Sequence, residues 1–140
     1  MTYSRRDLCL LLSTLATSLG LAAQKTSLAS KAARYEDLQV EKRGGNEFRP
    51  VLEGETHDGC PLEVHETLLA PGAMPHPGHQ HRHEEMFLIR EGTIEATITG
   101  RSTRLGPGSV VFVASNEEHG IRNAGTTPAQ YFVVALGKDV

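Results

Sequence analysis

Seven consecutive positions, His79 to Glu85, hold three imidazoles and two carboxylates: His79, His81 and His83, then Glu84 and Glu85. Imidazole nitrogen and carboxylate oxygen together suit first-row divalent metals, so the question is whether these groups can meet at one point. A helix would stack His79 on His83 at i and i+4. It would also wrap Phe87, Leu88 and Ile89 around most of its faces, which defeats a single buried stripe. A strand sends His79 and His81 out on the same side, because side chains alternate. Glu85 shares their parity, yet four residues of straight strand would carry it about 13 Å from His81. Metal bonds of about 2 Å cannot span that. Glu85 is therefore a ligand only if the chain turns between Arg82 and Glu84, so that one strand ends near His81 and another begins near Glu85. The fourth ligand has to come from a distant strand. His119 supplies it: it follows the run Gly108–Ala114 and a polar turn, and begins another strand.

Three imidazoles and one carboxylate at His79, His81, His119 and Glu85 suit Mn²⁺, Fe²⁺, Ni²⁺, Zn²⁺ or Cu²⁺, and a six-coordinate ion would keep about two positions open for water, dioxygen or a chelating substrate. His76 and His83 are spare imidazoles, placed at the rim. His57 and His65 carry no signal. Glu84, Glu117 and Glu118 are expected in solvent, and Arg49 and Arg90 on the surface. With Glu85 and His119 pointing inward, parity carries Phe87, Ile89, Ile121 and Asn123 inward as well. The pocket is thus expected to be mostly apolar beyond the ligands, with no evident interior base or nucleophile.

The elements that must position these groups are short and extended. The stretch Pro61–Gly72 places Leu62, Val64, Glu66 and Leu68 on one face. Ile94, Ala96 and Ile98 share a face, with Thr and Glu opposite. The runs Gly108–Ala114 and Ala129–Gly137 read as compact buried strands. Turns fall at Pro71-Gly72, Gly92, Gly100, Pro107-Gly108 and Gly125. Short strands separated by regular turn signals predict an all-β sandwich or barrel.

The two histidine-bearing stretches resemble the paired motifs of the cupin superfamily. Its first motif, His-x-His, Glu and Gly, falls on His79, His81, Glu85 and Gly92. Its second falls on Gly108, then Ala114 and Asn116, then His119 and Asn123. The chain departs from the pattern in three places: the spacer from Gly72 to His79 is one residue longer, Ala114 stands where proline is usual, and Asn116 where glycine is usual. None touches a ligand position, and Asn tolerates a left-handed conformation better than most residues. The resemblance covers about residues 60–137. It implies a single jelly-roll barrel (a double-stranded β-helix) over residues 35–140, a divalent transition metal and a homodimer.

The chain opens with Ser4-Arg5-Arg6-Asp7 ahead of a diluted apolar stretch, Leu8–Ala23. As a helix that stretch would span about 24 Å, short of a bilayer core of roughly 30 Å. Paired arginines, a moderate apolar run and small residues predict a signal peptide of twin-arginine type over residues 1–23, removed on export to the periplasm or beyond, with no stable membrane anchor afterwards. Residues 24–34, rich in Ala, Ser and Lys, read as a flexible leader. Cys9 leaves with the signal, and Cys60 reads as a plain turn residue.

The 140 residues fit one domain, and a net charge of −3 with scattered basic residues excludes a nucleic-acid footprint. Twin-arginine export carries folded proteins, so the metal is expected to be captured in the cytoplasm, where availability rather than affinity selects it; that favours Mn or Fe over Zn, Ni or Cu. The functional expectation is an exported metal-binding barrel, either an enzyme of dioxygenase, decarboxylase or isomerase type acting on a small molecule, or a non-catalytic module that holds a metal or small ligand.

Overall fold

The computed structural model describes residues 27–138. Apart from a single 3-10 turn at Tyr35–Asp37, the regular elements are nine strands: β1 (Glu41–Arg43), β2 (Asn46–Glu55), β3 (Pro61–Leu69), β4 (Glu84–Glu91), β5 (Ile94–Ile98), β6 (Arg101–Leu105), β7 (Val110–Val113), β8 (His119–Asn123) and β9 (Ala129–Leu136). They form a six-stranded sheet in the order β1-β2-β3-β9-β4-β7 and a three-stranded sheet in the order β6-β5-β8. Every pairing is antiparallel. The predicted all-β jelly-roll barrel is the fold. Among the described residues no helix is long and apolar enough to cross a membrane.

Two facing sheets bury the inward half of each alternating strand. The core is Leu69, Phe87, Ile89, Ile94, Ala96, Val111, Val113, Ile121, Ala129, Tyr131 and Val133, drawn from both sheets. The parity expected for Phe87, Ile89, Ile121 and Asn123 holds, for all four are buried. Asn123 is a polar tie inside this core. Its amide nitrogen reaches the carbonyls of Leu69, Ala70 and Thr127 at 2.8–3.1 Å, and its oxygen accepts the Gly125 N–H at 2.9 Å. A buried side chain with each polar atom partnered fixes where β8, the end of β3 and the start of β9 meet.

The run Gly108–Ala114, expected to be a buried strand, is instead the outer edge of the large sheet. In β7, Val111 and Val113 are buried, whereas Val110 and Phe112 are more than half exposed. Four consecutive apolar residues do not reveal whether a strand has one covered face or two. β9 is the covered case: it lies between β3 and β4, with Gln130 buried on one face and Tyr131 and Val133 on the other.

The outer face of the large sheet carries a polar layer. Glu66 is fully buried there, 3.0 Å from Arg90 Nη1, and Arg49 lies 2.6 Å from Glu47. The Tyr35 ring rests against both guanidiniums, 4.8 Å from that of Arg49 and 5.1 Å from that of Arg90, and Gln130 donates to its hydroxyl at 3.2 Å. Arg49, expected at the surface, is therefore covered. Of the stretch 24–34, residues 27–34 are described. They touch the flank of β2 through Leu28 N–H to the Glu55 carbonyl at 2.8 Å and Lys31 Nζ to the Val51 carbonyl at 2.6 Å. The expected signal, residues 1–23, lies outside the described residues.

Candidate metal centre

The loop that carries His79 and His81 is pinned by backbone hydrogen bonds. His79 and His119 exchange N–H and carbonyl in both directions, at 2.9 and 2.8 Å, as an isolated antiparallel bridge. Such a pair sets the two α-carbons about 5.5 Å apart with side chains on one face. The expected strand ending near His81 is thus reduced to one bridge. The expected turn is present: the chain bends at Arg82 and His83, and β4 begins at Glu84. The Asn116 N–H donates to the His81 carbonyl at 2.7 Å from a residue with φ of +64°, so the left-handed asparagine expected from sequence is what ties the second motif to the first.

All four sequence-assigned residues arrive at one place. Candidate donor atoms of His79, His81 and His119 lie within 4.8 Å of one another. Glu85 Oε2 is 3.2 Å from His119 Nε2 and 3.4 Å from His81 Nε2. Bonds of about 2.1 Å would set donors roughly 3 Å apart at right angles and about 4.2 Å apart across an ion, so these separations suit a shared cation.

The hydrogen-bond pattern says the same. His81 Nδ1 lies 2.8 Å from the His83 carbonyl, and His119 Nδ1 lies 2.9 Å from the Glu117 carbonyl. A carbonyl only accepts, so each Nδ1 carries the hydrogen, and in the neutral ring each Nε2 is left with a lone pair. Both lone pairs face a carboxylate oxygen that also only accepts. Without a positive charge between them that arrangement is repulsive, whereas imidazole N–H groups held by carbonyls are the usual outer support of a metal ligand. His81 Nε2 and His79 Nδ1 are buried with no hydrogen-bond partner among the described residues. Burial first, then the neighbouring rings of His76, His119 and His81, push the His79 imidazole below its ordinary pKa, which favours its neutral, ligating form.

The two spare histidines stand beside the centre. The His76 ring meets that of His79 edge-on at 4.2 Å. His83 stacks on His81 at 3.6 Å, with Nε2 3.4 Å from Glu85 Oε1, so His81, His83 and Glu85 form a second, overlapping group of donors. Cys60 is exposed, with its thiol 3.5 Å from the Pro61 carbonyl.

A cavity of about 370 Å³ opens onto Glu85 and His119. Phe48, Phe87, Ile121 and Val133 give it the expected apolar surface. It is more polar than expected, because Asn46, Glu63, His65, Thr67 and Tyr131 also line it. Neither Arg49 nor Arg90 does; the arginine at its wall is Arg43, whose guanidinium lies 4.5 Å over the Phe48 ring. Burial pushes the Tyr131 phenol far above its usual pKa, against a hydrogen bond from Thr67 that pulls it down, so the ring presents a neutral hydroxyl. Sequence reading missed this wall because Leu62, Val64, Glu66 and Leu68 of β3 face outward. The inward set is Glu63, His65 and Thr67, which share the parity of buried Leu69. That shared parity was the available signal.

Comparisons with known proteins agree with this picture. The profile of the cupin domain family Cupin_2 matches residues 65–135. An L-ectoine synthase of Bordetella parapertussis is 35% identical over 63 residues, 44% of this chain and 48% of that protein. The chain spans about half the length of the curated relatives it matches. Among solved structures, KdgF from Halomonas sp. superposes with a TM-score of 0.66 at 19% identity, covering 79% of this chain and 97% of that one. The polyketide cyclase RemF from Streptomyces resistomycificus gives 0.64 at 24% identity, covering 79% and 81%. At these identities the solved structures speak to the fold.

Proposed function

The chain belongs to the Cupin_2 family of cupin domains, and from that premise we propose that it is an exported metalloenzyme holding one divalent cation at His79, His81, His119 and Glu85 and acting on a small oxygen-bearing molecule. The observation that carries the reading is Glu85 Oε2 set 3.2 and 3.4 Å from two imidazole nitrogens whose rings have already given their hydrogens to carbonyls. When bound, the cation supplies a Lewis acid and a template for ligand oxygens. The chain itself provides the rest. The backbone bridge between His79 and His119 fixes two of the ligands. Phe48, Phe87, Ile121 and Val133 exclude water from the bound molecule, while Asn46 and the Tyr131 hydroxyl offer it polar contacts.

Turnover is favoured over mere holding by the cavity on the open side of the cluster and by the name of the curated relative, a synthase. Mn²⁺ or Fe²⁺ is the proposed occupant, on the argument that a chain exported folded through its Arg5-Arg6 signal takes its metal in the cytoplasm. The proposed partner, besides the small molecule, is a second copy of the chain. The exposed side chains Leu88, Val110 and Phe112 on β4 and β7 adjoin Met86, Phe132 and Val134 on the same outer face. The test is elemental analysis of protein produced with its own N-terminus. About one equivalent of Mn or Fe per chain is expected, and His119→Ala is expected to lose it. Protein without metal, or a His119→Ala variant with undiminished metal, would overturn the metal reading. Protein holding only Cu or Zn, inactive when reloaded with Fe or Mn, would overturn the assigned occupant.

A further inference from the structure

The proposed metal centre occupies one wall of the cavity; a second titratable pair, with no part in holding metal, occupies another. His65 Nδ1 lies 2.9 Å from Glu63 Oε1. A carboxylate only accepts, so Nδ1 carries the hydrogen and Nε2 the lone pair. Nε2 has no hydrogen-bond partner among the described residues, and the imidazole lines the same cavity as Glu85 and His119. The Phe48 ring, tilted at 4.4 Å, holds the imidazole in place. On the sheet, His65 stands opposite Val133, and Val133 opposite Phe87, two residues along β4 from Glu85. Two strand spacings, about 10 Å between backbones, therefore separate the base of this imidazole from β4. The cavity of about 370 Å³ that His65, Glu85 and His119 all line holds a ligand of a few heavy atoms.

We propose that His65, oriented by Glu63, is the general base of the cavity, taking a proton at Nε2 from a small chelating oxyacid whose oxygens are held at the cluster of His79, His81, Glu85 and His119. The inference rests on the metal reading above. In the step, an acidic C–H of the ligand breaks and an N–H forms on His65. The electron pair stays on the ligand as an enolate, and the resulting imidazolium returns the proton. Three other cavity groups are unsuited to the task, Glu47 because it is paired with Arg49 at 2.6 Å. The Tyr131 phenol is held neutral by burial, and Glu85 is committed to the cluster. Burial outweighs the pull of Glu63 and lowers the pKa of His65, which favours the uncharged ring with Nε2 open. The positive charge open to an oxyacid in this cavity is the Arg43 guanidinium and a bound divalent ion, set against the carboxylates of Glu47, Glu63 and Glu85.

Pyruvate serves as the probe: its two oxygens chelate, and its methyl hydrogens are acidic. Mn²⁺-loaded protein is incubated with pyruvate in D₂O, and deuterium uptake is read by mass spectrometry. The wild type is expected to exchange faster than free Mn²⁺ at equal concentration. His65→Gln should lose about a hundredfold of that rate, the scale of a general base, with metal content and melting temperature unchanged. Glu63→Gln, which leaves the base in place but misoriented, should fall between. Independently of turnover, diethyl pyrocarbonate should modify His65, and pyruvate should shield it only in metal-loaded protein. Exchange no faster than free Mn²⁺, a His65→Gln variant at the wild-type rate, or shielding without metal would each overturn the assignment while leaving the metal reading intact. A wild type that takes up no metal would remove both.

Discussion

At the scale of single residues, the metal proposal concentrates on Glu85, whose Oε2 lies 3.2 and 3.4 Å from the Nε2 atoms of His119 and His81. Glu85→Gln replaces an acceptor by an amide that can donate to both rings. The variant should bind Mn²⁺ at least about tenfold more weakly, since the charge and the ligand oxygen are lost together. Stripped of metal by a chelator, it should melt at or above the stripped wild type, because the facing acceptors are relieved. Calorimetry on the four samples checks this, and a stripped variant that melts well below the wild type would contradict it. His65 sets a pH dependence. Its folded pKa is lowered, chiefly by burial, so the native state binds fewer protons than the unfolded one. Its contribution to stability is fully present above the unfolded value of about 6.5 and is lost as pH falls through the lower folded value. His65→Gln should therefore flatten the decline in urea midpoint on the acid side of pH 6.5. An unchanged slope would show that other groups set it. The two motif histidines whose outer nitrogens bind backbone carbonyls, His81 and His119, take their orientation from the loops that carry them.

Those loops and the strand ends around them decide whether the four side chains meet. The bend at Arg82 and His83 brings Glu85 back to His81, and the left-handed Asn116 holds that bend by its N–H. At the other end of β4, Gly92 has φ of +80°, and a Cβ there would lie 2.6 Å from Ala129. That is backbone and Cβ of a buried residue, with no flexible tip to move aside. Gly92→Ala combines a disfavoured backbone region with a core clash, and a loss of about 3 kcal/mol in denaturant unfolding is expected. A loss under about 1 kcal/mol would mean that the β4–β5 turn yields more easily than its packing implies. The strand that sequence reading placed least well was β7. Its four apolar residues alternate between core and solvent, and the pattern Val110–Val113 contains nothing that separates the two faces.

For the whole molecule, that half-exposed edge has a consequence. Val110 and Phe112 are 55% and 54% exposed beside Leu88, an apolar outer face on a sheet whose other outer region is covered by Tyr35, Arg49 and Arg90. If a second copy covers it, Phe112→Glu should place a charge in that contact and shift the protein to monomer in sedimentation at micromolar concentration, with metal content retained. A wild type that is already monomeric would overturn the proposed second copy, and a variant still dimeric would move the contact elsewhere. The sequence by itself determined the all-β class, the convergence of His79, His81, Glu85 and His119 and the inward parity of Phe87, Ile89, Ile121 and Asn123, while the choice of a barrel came from the resemblance to the cupin motifs. Period-two alternation and the short reach of metal bonds are local rules that leave few solutions. Only the tertiary structure decided the far wall of the cavity. His65 and Glu63 become cavity residues because β3 is covered on both faces and pairs with β9, and the parity they share with Leu69 does not by itself say which covered face looks onto the histidine cluster.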